Sequence, residues 1–269
     1  MTIRFDSDDG IAVLTLDRPE VLNAMDPSTY AEIGAAFDRI EHDPRIYVGI
    51  VTGAEDRAFS AGADLKTMHT EGHAPPEWAP WRPDRWDFGQ TTSKPLIAAV
   101  NGYALAGGLE LALVCDIRIA AEHARFGTPE VRWNLLHGYG AYRLPRVIGL
   151  SNAMELLLTG EPVDAETALR IGLVSRVVAA EALMPTAMAI AGKVCANGPT
   201  AIRMTKELVQ RGFDNTLEGY LRLLRMYYDR LDQSADQREG LRAFTEKRDP
   251  TYGAPTTLDK PAQDLEDPS

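Results

Sequence analysis

Two glutamates and two runs of small residues are the parts of this chain best suited to chemistry. Glu110 stands in Leu109-Glu110-Leu111-Ala112-Leu113, an apolar setting where a carboxylate is costly unless it is paired or used. Burial there raises a carboxyl pKa toward the range useful for proton transfer. Glu130 comes at the end of the rigid turn Phe126-Gly127-Thr128-Pro129-Glu130. Two carboxylates converging on one point can position a water and move a proton. A purely structural reading stays open: Glu110 caps or salt-bridges, and Glu130 merely starts a helix.

The small-residue runs are Ala58-Phe59-Ser60-Ala61-Gly62-Ala63-Asp64-Leu65 and Val100 to Leu111, the latter holding Ala106-Gly107-Gly108. Each reads as a corner where a strand gives way to a helix. Such a corner presents free backbone N–H groups at a helix N-terminus. Those donors can hold a developing oxyanion without a side chain. Glycines also serve tight turns and close packing, so either corner alone is weak evidence. Phe59-Ser60-Ala61-Gly62 resembles half of a nucleophile elbow, but Ala58 stands where the first glycine belongs and no histidine is marked as a base. No GxGxxG follows the first strand and no GxxxxGK[ST] appears.

The elements that must carry these groups alternate in character. Ile11–Leu16, Tyr47–Thr52, Leu96–Val100 and Asp116–Ala120 read as strands. Asp26-Pro27 reads as an N-cap with proline at the first helical position, and Tyr30, Ile33, Phe37 and Ile40 mark one apolar helix face. This pattern predicts an α/β core built from right-handed crossovers. Further on, Ala153–Leu158, Ala165–Ile171 and Ala182–Ala196 read as helices, with a short strand at Val174–Val178. From Pro199 only helices are expected. One carries an apolar stripe from Leu217 through Tyr220, Leu221, Leu224, Tyr227 and Tyr228 to Leu231, and the next starts at a capping box, Ser234-Ala235-Asp236-Gln237. Residues 70–90 are proline-rich and carry Trp78, Trp81 and Trp86, which line an apolar pocket or fold back onto the core. The division predicted is a core over 1–198, a helical region over 199–254 and a flexible tail over 255–269.

Composition removes other classes. The 28 basic and 39 acidic residues leave a net charge of −11, which argues against bulk binding to nucleic acid or an anionic membrane. No apolar run approaches the ~20 residues of a membrane span. The N-terminus shows no secretory pattern, and Cys115 and Cys195 read as reduced, buried thiols, so a cytoplasmic protein is expected. The five histidines form no HExxH pair, and no metal site is expected.

These motifs, in this order over residues 3 to 252, resemble the crotonase superfamily and specifically the enoyl-CoA hydratases. The resemblance rests on Ala58 to Lys66, Lys94-Pro95 leading to Asn101-Gly102, Ala106 to Glu110, Cys115 to Arg118 and Phe126 to Glu130. Leu158-Thr159-Gly160, Gly172-Leu173-Val174 and Phe244 to Arg248 complete it. It implies an α/β fold, a spiral of ββα repeats with a C-terminal helical trimerisation region, assembled as a homotrimer or hexamer. It implies a hydro-lyase that adds water across the 2,3 double bond of an acyl-CoA substrate, with no cofactor beyond the coenzyme A of that substrate. Glu110 and Glu130 fall on the catalytic glutamates, and the amides of Ala63 and Gly107 on the oxyanion hole. The coenzyme A contacts implied are Arg18, Ala61, Lys66, Tyr228 and Lys247, the last two from a neighbouring subunit.

One stretch departs from the pattern. His137 stands where the family usually has proline, and the loop is one residue short. Gly138 keeps its place, where its amide can hold the water. Trp133, Leu136, His137 and Tyr139, with Trp78 and Trp81, are expected to shape the acyl pocket. The departure leaves room for another reaction on the same scaffold: double-bond isomerisation, C–C hydrolysis or decarboxylation. A non-catalytic acyl-CoA-binding protein is the remaining alternative.

Overall fold

The computed structural model describes residues 1–66 and 92–253. The expectations for residues 70–90, Trp78 and Trp81 included, and for the tail lie outside these.

Strands are dealt alternately to two sheets. β1 (Ile3–Asp8), β2 (Ile11–Leu16), β3 (Val48–Gly53), β5 (Leu96–Val100), β7 (Ile117–Ala121) and β10 (Arg176–Val178) form the larger sheet in the order β1-β2-β3-β5-β7-β10. β4 (Ala58–Ser60), β6 (Tyr103–Leu105), β8 (Arg125–Gly127) and β9 (Val163–Asp164) form the smaller, in chain order. From β2 to β10 the larger sheet is parallel, and the β1–β2 and β8–β9 pairs are antiparallel. The pairs β3 and β4, β5 and β6, and β7 and β8 each lay a strand in the large sheet and then one in the small sheet. β5, β6 and α2 (Gly107–Val114) make one ββα turn. The successive turns generate the ββα spiral.

The large sheet is covered on both faces, so its inner strands read as continuous apolar runs. β3 and β5 are buried at every position. On one side α6 (Leu183–Cys195) lays Leu183, Ala187 and Ala191 over Ile11, Ile50, Ile97 and Ile119. On the other, α1 (Pro27–His42) contributes Tyr30, Ile33, Phe37 and Ile40 to the main core with Leu14, Val51, Phe59 and Phe126. The Asp26 side chain caps α1 by accepting from the Thr29 amide at 2.8 Å.

α3 (Gly138–Ile148), α4 (Leu150–Thr159) and α5 (Ala165–Arg170) close the core. α7 (Pro199–Gly212), α8 (Leu217–Asp232) and α9 (Ala235–Glu246) follow without a further strand among the described residues. Ser234 caps α9 by accepting from the Gln237 amide at 3.1 Å. The expected capping box is half made, because the Gln237 side chain donates to Asp232 instead of reaching back. The predicted stripe on α8 exists, but no residue of that helix is buried in this chain, and Leu217, Leu221 and Tyr228 face solvent. Cys115 is buried as expected, whereas Cys195 is only partly so. Among the described residues no helix is long and apolar enough to cross a membrane.

Candidate active site

The first amide corner is fixed from beneath by side chains. Asn23, buried, donates to the Ala58 carbonyl at 2.7 Å, and Ser60 Oγ donates to the Asn23 carbonyl at 2.8 Å while accepting from the Gly62 amide at 3.1 Å. A single parallel bridge then joins Met25 to Ala63. Met25 donates to the Gly62 carbonyl at 2.8 Å and accepts from the Asp64 amide at 3.0 Å. The bridge uses the groups on either side of Ala63, so the Ala63 N–H points away from Met25. Arg18 braces both flanks: Nη1 donates to the Ala24 carbonyl at 2.7 Å and lies 3.1 Å from Asp26, and Nη2 lies 3.4 Å from Asp64.

The second corner is the start of α2, the helix that carries Glu110. Gly107 and Gly108 open it, where helix geometry leaves the first amides without an intrahelical acceptor. α2 sits so close to β4 that a Cβ on Gly108 would collide with the Ser60 carbonyl. Ala106, just before, holds φ 51° and ψ −128°, a region that favours glycine. A Cβ on Gly107 would come 3.6 Å from the Ala63 nitrogen and 3.1 Å from the Tyr30 hydroxyl. The two amide corners therefore meet, with Tyr30 of α1 beside them.

Glu110, one turn into α2, is buried and accepts from the Gly140 amide at 3.2 Å and from the Tyr139 backbone. Burial pushes its pKa up, and the Glu130 charge adds to the rise, while His137 and the two amides oppose it. Glu130 comes from the 3-10 turn Pro129–Trp133, which Asn134 ends in a left-handed conformation at φ 56°. His137 Nδ1 lies 2.5 Å from Glu130 Oε1. Glu130 Oε2 and His137 Nε2 are buried with no hydrogen-bond partner among the described residues. A buried polar atom in that state costs about 1–3 kcal/mol, which a bound water or ligand can recover. The Tyr30 phenol is raised by its own burial and then by the charges of Glu110 and Glu130, so both carboxylate charges act on one buried hydroxyl.

The arrangement is two acids and two converging amide corners at one point. The sequence of this chain matches the enoyl-CoA hydratase/isomerase family over residues 6–255. The chain belongs to that family. A probable enoyl-CoA hydratase of Mycobacterium leprae is 42% identical over 253 residues, covering 93% of this chain and 97% of the relative. A short-chain-enoyl-CoA hydratase of Clostridium acetobutylicum is 38% identical over 253 residues, covering 88% and 92%. The crystal structure of an enoyl-CoA hydratase from Bacillus anthracis superposes with a TM-score of 0.88 at 36% identity, covering 94% of this chain and 99% of that one.

Within this family fold, the remaining predicted residues fall in different settings. Gly138 is the first residue of α3, while the amides actually bonded to Glu110 are those of Tyr139 and Gly140. Ala61 and Lys66 flank the Ala63 corner, with Lys66 exposed. Trp133 is 68% and Leu136 92% exposed in this chain, on either side of the left-handed Asn134 that separates the 3-10 turn from α3. Tyr139 is half-buried and stacks on Tyr142 with ring centroids 6.4 Å apart. Tyr228 is exposed on α8, and Lys247 ends α9 in a left-handed cap. Arg248 beside it is held by Glu239 and Glu246. The sequence does not single out Tyr30 or Gly140 as site residues. Tyr30 reads simply as part of an apolar helix face, and a glycine amide that binds across thirty residues leaves no local signal.

Proposed function

We propose that this protein is an enoyl-CoA hydratase, adding water across the 2,3 double bond of an enoyl-CoA thioester. The observation that carries the reading is the pair of a buried Glu110 and a partly buried Glu130, whose charges both act on Tyr30 where the Ala63 and Gly107 corners meet. The thioester carbonyl lies on the two amides. Glu110 and Glu130 hold the water between them, with the Gly138 amide as a further donor. The water oxygen bonds to the β-carbon, and its proton passes to the carboxylate pair. Negative charge moves to the carbonyl oxygen, where preorganised N–H groups stabilise the enolate. Glu130 returns a proton to the α-carbon, so that H and OH have been added overall. The raised Glu110 pKa suits a group that must accept a proton near neutral pH.

No cofactor is proposed beyond the coenzyme A of the substrate. Arg18, Ala61 and Lys66 are proposed to contact it, together with Tyr228 and Lys247 of a neighbouring subunit in a homotrimer or hexamer. The solvent-facing Leu217, Leu221, Tyr228, Leu241 and Phe244 support such an assembly. A cytoplasmic location is proposed from the unpaired cysteines and the acidic composition.

The test is loss of enoyl absorbance with crotonyl-CoA and with longer, branched and aromatic enoyl-CoAs. Glu110→Gln and Glu130→Gln are each expected to lower kcat by about 10²–10⁴-fold. Wild-type rates in both variants would sink the mechanism. The bond from His137 to Glu130 favours one second reading, another reaction of an acyl-CoA such as isomerisation, C–C hydrolysis or decarboxylation. Mass spectrometry with fragmentation of the product separates the two: hydration adds the mass of water and keeps the carbon skeleton, isomerisation leaves the mass unchanged, decarboxylation loses CO2, and C–C hydrolysis adds water while breaking a carbon–carbon bond.

A further inference from the structure

The proposed chemistry uses Glu130 but gives no work to the histidine bonded to it. The His137 side chain is 2% exposed, and its Nδ1 lies 2.5 Å from Glu130 Oε1. Glu130 Oε2 is buried and without a hydrogen-bond partner among the described residues. The two oxygens of one carboxyl group therefore stand in different states. Either Nδ1–H donates to a carboxylate or a carboxyl O–H donates to Nδ1; in both cases Oε1 is occupied. The ring is confined as well. It fills the space that a Cβ on residue 140 would need, so glycine there is what admits it. The amide of that same glycine binds Glu110 Oε1 at 3.2 Å. One short segment thus touches both acids, one through a side chain and the other through the backbone. The titratable groups acting on the ring are Glu130 from the 3-10 turn and Glu110 from α2, whose charges also act on the Tyr30 hydroxyl of α1.

We infer that His137 is a positioning residue that assigns the oxygens of Glu130 separate tasks: the imidazole keeps Oε1, and Oε2 alone exchanges the proton with the α-carbon of the substrate. A terminal carboxyl torsion is broad and roughly two-fold, so an untethered Glu130 presents either oxygen at a range of angles. The tether selects one oxygen and one plane. His137 touches no reacting atom in this scheme and affects turnover through Glu130. The inference rests on the hydration reading above.

The experiment uses the full-length protein. His137→Phe retains a flat ring without nitrogens. It is expected to lower kcat for crotonyl-CoA by about 10- to 100-fold, the scale of a misplaced reacting group, with little change in KM. His137→Asn, which can still donate to Oε1, is expected to recover part of that loss. The pH–rate profile of His137→Phe should differ in shape from wild type, because the hydrogen bond to Glu130 Oε1 is gone. Nitrogen NMR of ¹⁵N-histidine-labelled protein reads the pairing without turnover. The His137 Nδ1 signal of the wild type should show a strong hydrogen bond that Glu130→Gln weakens. Should His137→Phe fail to fold, His137→Asn and the wild-type nitrogen spectrum carry the test. Wild-type kcat and pH profile in folded His137→Phe, or a nitrogen signal indifferent to Glu130→Gln, would overturn the inference while hydration stands. A wild-type protein that hydrates no enoyl-CoA would remove the functional reading and this inference with it.

Discussion

Met25 and Ala63 form a one-residue parallel bridge that turns the Ala63 amide away from Met25, and the Ala63 nitrogen lies beside Gly107. Its hydrogen bonds run through Gly62 and Asp64, so the Ala63 N–H plays no part in the bridge itself. Ala63→Pro therefore removes one donor from the proposed oxyanion site and leaves the bridge its two bonds. Turnover of crotonyl-CoA is expected to fall by about 10²–10³-fold, the usual cost of one such donor. Steady-state kinetics checks this, with circular dichroism to establish that the variant is folded. A loss of less than threefold would remove Ala63 from the site.

Glu110 makes stability depend on pH with a defined sign. Burial raises its pKa in the folded chain, so the folded protein holds this proton to higher pH than the unfolded chain does. The contribution is fully present below the unfolded value, about 4.3, and is lost as pH rises through the folded value. Glu110→Gln cannot ionise and still accepts from the Gly140 amide. It should melt above wild type at neutral pH, and the gap should close on acidification toward pH 4. Thermal melts at several pH values check the trend. A gap that widened in acid would contradict the burial.

Ala106 stores backbone strain at the edge of the site. At φ 51° and ψ −128° an alanine carries a Cβ where glycine carries none. Ala106→Gly keeps the bond from its amide to the Gly127 carbonyl, 3.0 Å long. The variant should be more stable by about 1 kcal/mol, after the greater freedom of glycine in the unfolded chain is subtracted. Urea unfolding measures this.

Two glycine-to-alanine substitutions should have opposite signs. In Gly108→Ala the new methyl meets the Ser60 carbonyl, and α2 must shift off β4; the expected loss is roughly 3 kcal/mol. Gly192 lies within α6 with nothing within 4 Å of an added Cβ. Gly192→Ala should gain about 0.8–1 kcal/mol from helix propensity. Thermal melts of the two variants test whether close approach, and not glycine as such, matters at the start of α2.

What was legible in the sequence was mostly local. The apolar run Ile11–Leu16 is β2, and Asp26-Pro27 does cap α1, because a short β-rich apolar run and a cap are each decided within a few residues. The smaller sheet was not legible. β4, β6 and β8 are three residues each, too short for a period of two; in the sequence β4 and β6 fall within small-residue corners and β8 runs into a Gly-Thr-Pro turn. Glu110 stood out because its neighbours are apolar. The bond from His137 to Glu130 did not, since it depends on a 3-10 turn and a left-handed Asn134 that fold a seven-residue separation back on itself. A spacing rule tuned to helix or strand cannot see that reversal.

The fit of the His137 ring over Gly140 also constrains how such a site can be reached by single substitutions. With any other residue at 140, a Cβ would overlap the ring, so histidine at 137 in this pose is compatible only with glycine at 140. Glycine at 140 makes no such demand on position 137. The two positions are therefore ordered: glycine must be present before the ring arrives and must remain while the ring stays. A drift away from Gly140 would act as a concealed second mutation of Glu130, because displacing the ring releases its carboxyl group.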